Sequence, residues 1–250
     1  MRGVSPAAWK KPPVRDQAAP VVAIVDFGMG NLFSVKQACE QAGLTVVITR
    51  SPAEVIEADA TILPGVGASA DAMANLNDLG MVGALQQVAA SSKPLVGVCL
   101  GMQLLMTESA EFGHHQGLNI VPGATVWLDP HTESGRTLKV PHVSWNRLCR
   151  VQSDAGDSWG GTLLDGLPEG VFLYFVHSLY VRPEMPDVVL ATTTYGANEF
   201  CSALQHRNVF GCQCHPERSG RHGLRVYANL AARLLAADRS HKDPYHAQSR

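Results

Sequence analysis

This 250-residue chain has little net charge, few aromatic residues and no long apolar run. Its 20 Lys and Arg against 22 Asp and Glu give a net charge of −2, so no basic surface marks a site for nucleic acid or an anionic membrane. No stretch approaches the roughly 20 apolar residues that span a bilayer, and the N-terminus lacks the apolar segment of a signal peptide. We therefore expect a cytoplasmic protein with neither nucleic-acid nor membrane partners.

The sequence also lacks a disulfide framework and a convincing metal site. Its six cysteines follow no paired spacing, and they stand at positions 39, 99, 149, 201, 212 and 214. Cys212, Cys214 and His215 invite comparison with a zinc site, but C-x-C is shorter than the usual zinc spacing. On a strand the two cysteines would share one face and the histidine would take the other. We therefore expect no disulfide and no metal.

A dinucleotide site is not expected either. Gly28-Met29-Gly30 follows an apolar run, but the G-x-G-x-x-G pattern requires glycine where Phe33 stands. With 46% hydrophobic residues, the chain can fill the core of one sizeable domain. We place that domain at 20–237, between polar tails at 1–19 and 238–250 that we expect to be flexible.

The apolar periodicity predicts an α/β fold with a mixed, mainly parallel sheet flanked by helices and an antiparallel extension. In the first half, strand-like and helical segments alternate, as they do in βαβ units. From about residue 124 the strand-like segments follow one another, and a final helix closes the domain. The predicted strands are 21–26, 45–49, 60–63, 94–98, 125–128, 171–176, 187–194, 201–205 and 208–213; the predicted helices are 31–42, 70–77, 82–91, 101–109 and 221–237.

The most informative segment is Gly97-Val98-Cys99-Leu100-Gly101, in which a cysteine stands at the centre of G-x-C-x-G. This pattern is typical of a nucleophile elbow, where the nucleophile occupies a strained turn between a strand and a helix. Glycines are needed on both sides because side chains there would collide with neighbouring backbone. The helix N-terminus favours a thiolate at Cys99, and the Leu100 N–H lies where an oxyanion would form.

A second segment, Cys214-His215-Pro216-Glu217-Arg218, supplies the other groups that a cysteine nucleophile needs. His215 falls at the end of a predicted strand, where Pro216 blocks continuation. Glu217 is close enough in sequence to fix the orientation and tautomer of the imidazole. Cys99, His215 and Glu217 thus form a candidate triad of nucleophile, base and orienting carboxylate.

These motifs together resemble the class I, triad-type glutamine amidotransferases. The resemblance extends from about residue 20 to 235. Within that family, the segment Pro64-Gly65-Val66-Gly67 resembles the corresponding segment of the glutaminase subunits of imidazole glycerol phosphate synthase. Further matching segments are 26–32 (DFGMGNL), 140–146 (VPHVSWN) and 174–178 (YFVHS). Three positions depart from the family pattern, in which an aromatic residue is usual near Ser69, tyrosine where Leu179 stands and phenylalanine where Cys214 stands.

The resemblance implies a glutaminase that releases ammonia from L-glutamine through a thioester at Cys99. It also implies a separate partner chain, a (β/α)8-barrel cyclase that consumes the ammonia in histidine biosynthesis, and it implies no cofactor. The implied site residues are Val66 and Leu100 as backbone oxyanion donors; Gly67, Gln103, Ser178 and Leu179 as glutamine contacts; and Trp145, Asn31 and Arg218 at the partner interface.

Three alternatives remain open at this point. A glutaminase of another pathway, such as anthranilate or aminodeoxychorismate synthesis, is disfavoured by the Pro-Gly-Val-Gly segment. A cysteine hydrolase of another kind would use the same elbow but would not turn over glutamine. A catalytically inactive regulatory chain of the same fold is disfavoured by the presence of Cys99, His215 and Glu217.

Overall fold

The chain folds around one large mixed β-sheet. The computed structural model describes residues 19–132, 134–135, 137–151 and 159–242. The described strands are β1 Val21–Val25, β2 Thr45–Thr49, β3 Ala60–Leu63, β4 Leu95–Val98, β5 Met106–Ser109, β6 His115–Gln116, β7 Val121–Trp127, β8 His142–Arg150, β9 Val171–His177, β10 Leu179–Pro183, β11 Val189–Tyr195, β12 Asn198–His206 and β13 Val209–Cys212. The described α-helices are α1 Leu32–Gln41, α2 Pro52–Glu57, α3 Ser69–Asp78, α4 Met81–Ala90, α5 Leu100–Leu104 and α6 Gly220–Lys242.

The main sheet has the strand order β2-β1-β3-β4-β13-β12-β10-β7-β5-β6. Strands β2, β1, β3, β4 and β13 are parallel to one another, and β5 is parallel to β7; the pairings of β12 with β13, β10 and β11, and of β10 with β7, are antiparallel. Strand β11 also joins a side layer in which β8 pairs with β9. This confirms the predicted mixed, mainly parallel sheet with an antiparallel extension.

Alternation along the parallel strands divides the core between the two faces of the sheet. In β1, Val22 and Ile24 pack in a cluster that contains residues of α1, α6, β8 and β9. Ala23 and Val25 pack on the opposite face with residues of α2, α3, α4 and α5. The central strands β3 and β4 are buried along their whole length, which explains their predominantly apolar sequences.

The structure corrects several element predictions. The predicted helix 101–109 ends at Leu104, because Met106–Ser109 pairs with β7 as strand β5. The predicted strand through 213 ends at Cys212, so His215 lies beyond the strand. Strands β5, β6, β8 and β10 and helix α2 were not predicted. Helix α6 continues to Lys242, so residues 238–242 of the predicted tail are helical, whereas 1–18 and 243–250 lie outside the described residues.

Within the described ranges, none of the helices is long and apolar enough to cross a bilayer. The same part of the chain holds no group of three or more His, Cys, Asp or Glu side chains arranged to bind a metal ion.

Candidate active site

Cys99 lies on the sharp turn between β4 and α5, where its backbone has φ +53° and ψ −108°. This positive φ is costly for a residue with a side chain, and the packing around the turn enforces it. A Cβ at Gly97 would lie 2.9 Å from the backbone of Gly101, and a Cβ at Gly101 would overlap the Leu63 carbonyl oxygen. Neighbouring backbone therefore excludes a side chain at either glycine, and the turn presents the Cys99 sulfur above the carboxyl end of the sheet.

The parallel pairing of β4 with β13 brings the second motif to the same edge. Cys99 N donates to Cys212 O at 2.8 Å, so the chain leaves β13 beside the elbow. A short 3₁₀ turn at Pro216–Arg218 follows, and it places the Glu217 carboxylate beside the His215 imidazole. The His215 Nδ1 atom lies 2.8 Å from Glu217 Oε1, with both side chains almost completely buried.

Electrostatics at this pair favour the imidazolium. Burial by itself lowers the pKa of His215, but the negative charge and close approach of the Cys99 thiolate, together with the Glu217 carboxylate, raise it to about 11. The His215 Nε2 atom is buried and has no hydrogen bond of good geometry to any described residue. Its link to Cys99 is therefore chiefly electrostatic, and His215 carries a proton that it can deliver.

Two buried glutamines connect the sulfur to the cavity wall. Gln213 Nε2 donates to Cys99 Sγ at 3.6 Å, and Gln213 Oε1 accepts from Gln103 Nε2 at 3.1 Å. The same Gln103 nitrogen donates to the Leu179 carbonyl at 2.9 Å. Sequence reasoning placed Gln103 in the site but missed Gln213, which lies one residue before the Cys-His-Pro-Glu segment and is completely buried.

A cavity of about 240 Å³ opens beside Cys99 and has the scale of a small metabolite. Every predicted glutamine contact and both predicted oxyanion donors line it. The lining residues are Val66, Gly67, Cys99, Leu100, Gln103, Glu111, Pro141, Val176, His177, Ser178 and Leu179. Four of them were assigned no role from the sequence: Glu111, Pro141, Val176 and His177.

The loop between β3 and α3 forms one wall of this cavity. Gly65 packs against Leu100 and Phe27, each 3.1 Å from the position that a Cβ would occupy. Gly67 has φ +113°, and a Cβ there would overlap Met29. Side chains are therefore disfavoured on both sides of Val66, which is 44% exposed at the cavity mouth.

Glu111 contributes the only carboxylate among the residues that line the described cavity. It is buried, and its Oε2 accepts from Ser69 N at 2.6 Å, which ties the start of α3 to the loop after β5. No local motif marks this residue in the sequence. Its place beside the cavity follows from the unpredicted strand β5, which carries the chain onward from α5.

An exposed patch adjoins the triad, and we call its three residues Trp145, Tyr174 and Arg218 the aromatic patch. The Trp145 ring meets Tyr174 edge to face at 6.2 Å, and the Arg218 guanidinium stacks over Tyr174 at 5.1 Å. Tyr174 in turn lies 6.4 Å from the His215 ring. Trp145 is 51% exposed, so it is a surface residue rather than part of the core.

Asn31 has a local role that its predicted place in the interface does not require. Its side chain caps α1 by accepting from Ser34 N at 3.3 Å, and the residue is exposed. Position 179 shows why leucine is compatible with the site: its side chain is buried and its backbone carbonyl makes the polar contact. Cys214 is likewise buried and lies in the core cluster that includes residues of α6.

Comparison with known proteins agrees with this geometry. The model of the family described as glutamine amidotransferase class-I matches residues 23–233. A protein of Syntrophotalea carbinolica named imidazole glycerol phosphate synthase subunit HisH is 46% identical over 84% of this chain and 98% of its own length. HisH of Moorella thermoacetica is 45% identical over 84% and 93%, and HisH 1 of Legionella pneumophila strain Paris is 40% identical over 82% and 95%.

The chain belongs to the HisH branch of the class I glutamine amidotransferases. The resemblance read from the sequence motifs is thereby confirmed. Solved structures agree on the fold: PurLQS of Thermotoga maritima gives a TM-score of 0.63 at 18% identity, covering 87% of this chain and 100% of that one. A glutamine amidotransferase of Thermotoga maritima gives a TM-score of 0.53 at 12% identity, covering 89% of this chain and 86% of that one. This amidotransferase therefore has the fold of its family, and its site residues can be assigned roles from their own geometry.

Proposed function

We propose that this amidotransferase is the glutaminase subunit of an imidazole glycerol phosphate synthase. It hydrolyses L-glutamine and passes the ammonia to a separate cyclase chain. The observation that carries the proposal is the convergence of the Cys99 elbow and the His215–Glu217 pair beside a cavity that fits one small substrate. The relatives named HisH supply the pathway.

Contacts to the α-ammonium group and to the α-carboxylate of glutamine orient the substrate in the cavity. The Glu111 carboxylate is the partner for the α-ammonium group, because it is the carboxylate that lines the described cavity. The N–H of Leu179 and the Ser178 side chain bind the α-carboxylate, since both residues also line the cavity. The side-chain amide then points toward Cys99, with Gln103 beside it.

The first half of the reaction forms a thioester. The Cys99 thiolate attacks the amide carbon, and the oxyanion that develops is stabilised by the Leu100 N–H and the Val66 N–H. As the carbon–nitrogen bond breaks, His215 delivers its proton to the leaving nitrogen, and ammonia is released. Glu217 holds the imidazole in place and stabilises its positive charge until that transfer.

The second half restores the enzyme. Neutral His215 accepts a proton from water, and the hydroxide attacks the thioester carbon. A second oxyanion forms in the same position and collapses with cleavage of the carbon–sulfur bond. The products are glutamate and the Cys99 thiolate, beside a His215 that is again protonated, the form that its raised pKa favours.

The aromatic patch is the proposed docking site for the cyclase. Trp145 is a large exposed anchor and Arg218 a charged one, which are the residue types that dominate binding energy at protein interfaces. Because Tyr174 contacts both anchors and lies against the His215 ring, a bound partner rests directly behind the triad. We add Asn31 and Phe33, at the exposed start of α1, to the proposed interface, because Phe33 lines a surface cavity together with Glu217.

The test is glutamine hydrolysis by the pure chain, alone and with the cyclase and its nucleotide substrate. The glycines around Val66 leave that peptide able to rotate, so we expect slow hydrolysis alone and a rise in kcat of about 10²–10³ with the partner, larger than the fall in KM. Trp145→Ala should weaken activation without preventing folding, whereas Trp127→Ala, at a tryptophan outside the patch, should leave it intact. Full activity of the pure chain would instead identify a free-standing glutaminase, and no glutamine turnover under any condition would refute the proposal.

A further inference from the structure

Two buried histidines, His142 and His177, face each other across β8 and β9, and neither takes part in the reaction steps above. They are direct cross-strand neighbours, and the His142 Nδ1 atom lies 3.1 Å from the His177 Nε2 atom. Both are buried, and their rings pack among those of Phe175, Tyr195 and Phe200. Such a pair in an aromatic environment requires each polar nitrogen to have a partner.

The partners fix the direction of every hydrogen bond in the chain. The His177 Nδ1 atom lies 2.9 Å from the Leu179 carbonyl oxygen, which can only accept, so Nδ1 carries the proton. The Nε2 atom of neutral His177 then accepts from His142 Nδ1–H. The Nε2 atom of His142 in turn accepts from the Ser144 hydroxyl at 2.8 Å. Donation therefore runs one way, from Ser144 on β8 to Leu179 at the glutamine cavity.

The surroundings keep both imidazoles in the neutral form that this chain of bonds requires. Burial lowers the pKa of His142 to about 4. Burial also dominates at His177, where the nearby His142 and His215 act in the same direction and the bond to Leu179 opposes them, and the pKa is lowered to about 3. At neutral pH neither ring holds a second proton.

The receiving end of the chain is the Leu179 carbonyl, which belongs to the peptide after Leu179, while the Leu179 N–H belongs to the peptide before it. The Leu179 carbonyl accepts from two side chains, His177 and Gln103, each at 2.9 Å. On the other side, Ser178 O accepts from Leu128 N at 2.9 Å, so the peptide between 178 and 179 is fixed against the end of β7. In a planar trans peptide the N–H points opposite to the C=O, which directs the Leu179 N–H away from β7. Both residues line the glutamine cavity.

The Ser144 end of this hydrogen-bond chain lies on β8, in the side layer that β8 forms with β9, and contacts to β11 hold that strand in place. Asn146 donates to Thr194 O at 2.9 Å, which ties β8 to β11, and its side chain also lies 3.4 Å from His142 Nε2. Asn146, on the same strand as His142, thus contacts the Nε2 atom of His142, whereas His177 contacts its Nδ1 atom. The pair spans the gap between this anchored strand and the cavity wall.

We infer that the His142–His177 pair is a positioning element for substrate binding: it fixes the Leu179 carbonyl, and with it the backbone of Leu179, in the orientation in which the Leu179 N–H meets the carboxylate of glutamine. The identity of the substrate rests on the proposed function; the hydrogen-bond chain itself does not.

Two substitutions at His177 separate the contacts atom by atom. His177→Asn places an amide nitrogen near the Nδ1 position and retains a donor for Leu179. His177→Gln places its amide near the Nε2 position and loses that donor. Because the lost bond holds substrate in the ground and transition states alike, His177→Gln should raise KM for glutamine about three- to tenfold with kcat within about twofold of the parent. His177→Asn should restore most of the parent KM.

Tyr195→Phe is the matched control, since it removes the bond of the tyrosine hydroxyl to Lys139 O but keeps the ring stacked on His142 at 4.1 Å. It should lower thermal stability and leave KM unchanged.

The unsubstituted protein gives an independent readout: imidazole nitrogen-15 shifts should show both rings protonated at Nδ1 only, from about pH 5.5 to 8. A parent-like KM in a folded His177→Gln variant, or a His177 protonated at Nε2 or titrating near its ordinary pKa, would overturn the inference. If His177→Gln fails to fold, the nitrogen shifts decide. If the parent turns over no glutamine, the proposed function fails while the nitrogen shifts still judge the pair.

Discussion

Replacing Glu217 with glutamine tests the role of a single buried charge in the reaction. The carboxylate bonds to His215 Nδ1 at 2.8 Å, and its other oxygen is buried without a hydrogen-bond partner among the described residues. Glu217→Gln retains an oxygen that can accept from Nδ1–H, so the imidazole keeps its orientation. What is lost is the negative charge that stabilises the imidazolium.

The size of the effect follows from that bond. A hydrogen bond to a charged group contributes about 1.5–3 kcal/mol and a neutral one about 0.5–1.5 kcal/mol, so loss of the charge alone costs about 1–1.5 kcal/mol, which corresponds to a fall in kcat of about fivefold to twelvefold. Glu217 is not among the residues that line the described glutamine cavity, so KM should change little. His215→Ala should cost more, because it removes the proton carrier as well as its support.

The pH dependence gives a second, independent readout. Glu217 is one of the groups that raise the pKa of His215 to about 11, so its neutralisation lowers that pKa. The loss of activity on the alkaline side should therefore begin at lower pH in Glu217→Gln than in the parent. The assay is glutamate release from about pH 6 to about pH 10 with thermal unfolding measured in parallel, and Glu108→Gln, at a carboxylate outside the cavity, as the matched control. A folded Glu217→Gln variant with the kcat and pH profile of the parent would remove Glu217 from the triad.

Three further outcomes are expected. Cys99→Ala should abolish both hydrolysis and labelling by an electrophilic glutamine analogue, and labelling at any other cysteine would contradict the assignment. Glu111→Gln should raise KM for glutamine about tenfold or more because the α-ammonium group loses its charged partner, and it should leave KM unchanged if the carboxylate only secures Ser69. Between pH 6.5 and about 4 the unfolded chain binds a proton at His142 that the folded chain excludes, so His142 alone should contribute about 3 kcal/mol to the fall in the free energy of unfolding as pH drops through that range. Urea unfolding at several pH values measures this fall, which should be smaller in His142→Gln; equal slopes in the two proteins would contradict it.

The parts of the site that can be predicted from the sequence are those formed by residues close together in the chain. The glycines around Cys99 and the two-residue spacing of His215 and Glu217 fix local geometry, so their chemistry can be inferred without the fold. Gln213 and Glu111 reach the site only through long-range contacts: Gln213 bonds to Cys99 across 114 residues of sequence, and Glu111 to Ser69 across 42. No local pattern encodes either contact.

The predicted boundaries of helices and strands were wrong where strand pairing with a distant segment overrode the local apolar periodicity. Residues 101–109 have a helical pattern of apolar positions, but Met106 pairs with Val121 and the segment continues as a strand. Strand β8 was missed because it mixes buried and exposed residues without regular alternation, as expected for a strand that packs in a side layer. Strands β1 to β4 and helices α1, α3 and α4 were predicted because each of these βα units repeats the same short-range signals.

The position of β13 governs when the enzyme becomes active during its own synthesis. This strand lies between β4 and β12, although more than a hundred residues separate it from β4 along the chain. The thiol of Cys99 emerges from the ribosome long before His215, and the imidazole reaches it only after β13 has inserted into the sheet. Under the mechanism that we propose, a nascent or truncated chain without β13 therefore lacks the partner of Cys99 and should consume no glutamine. The sheet order thus couples the onset of catalysis to completion of the fold.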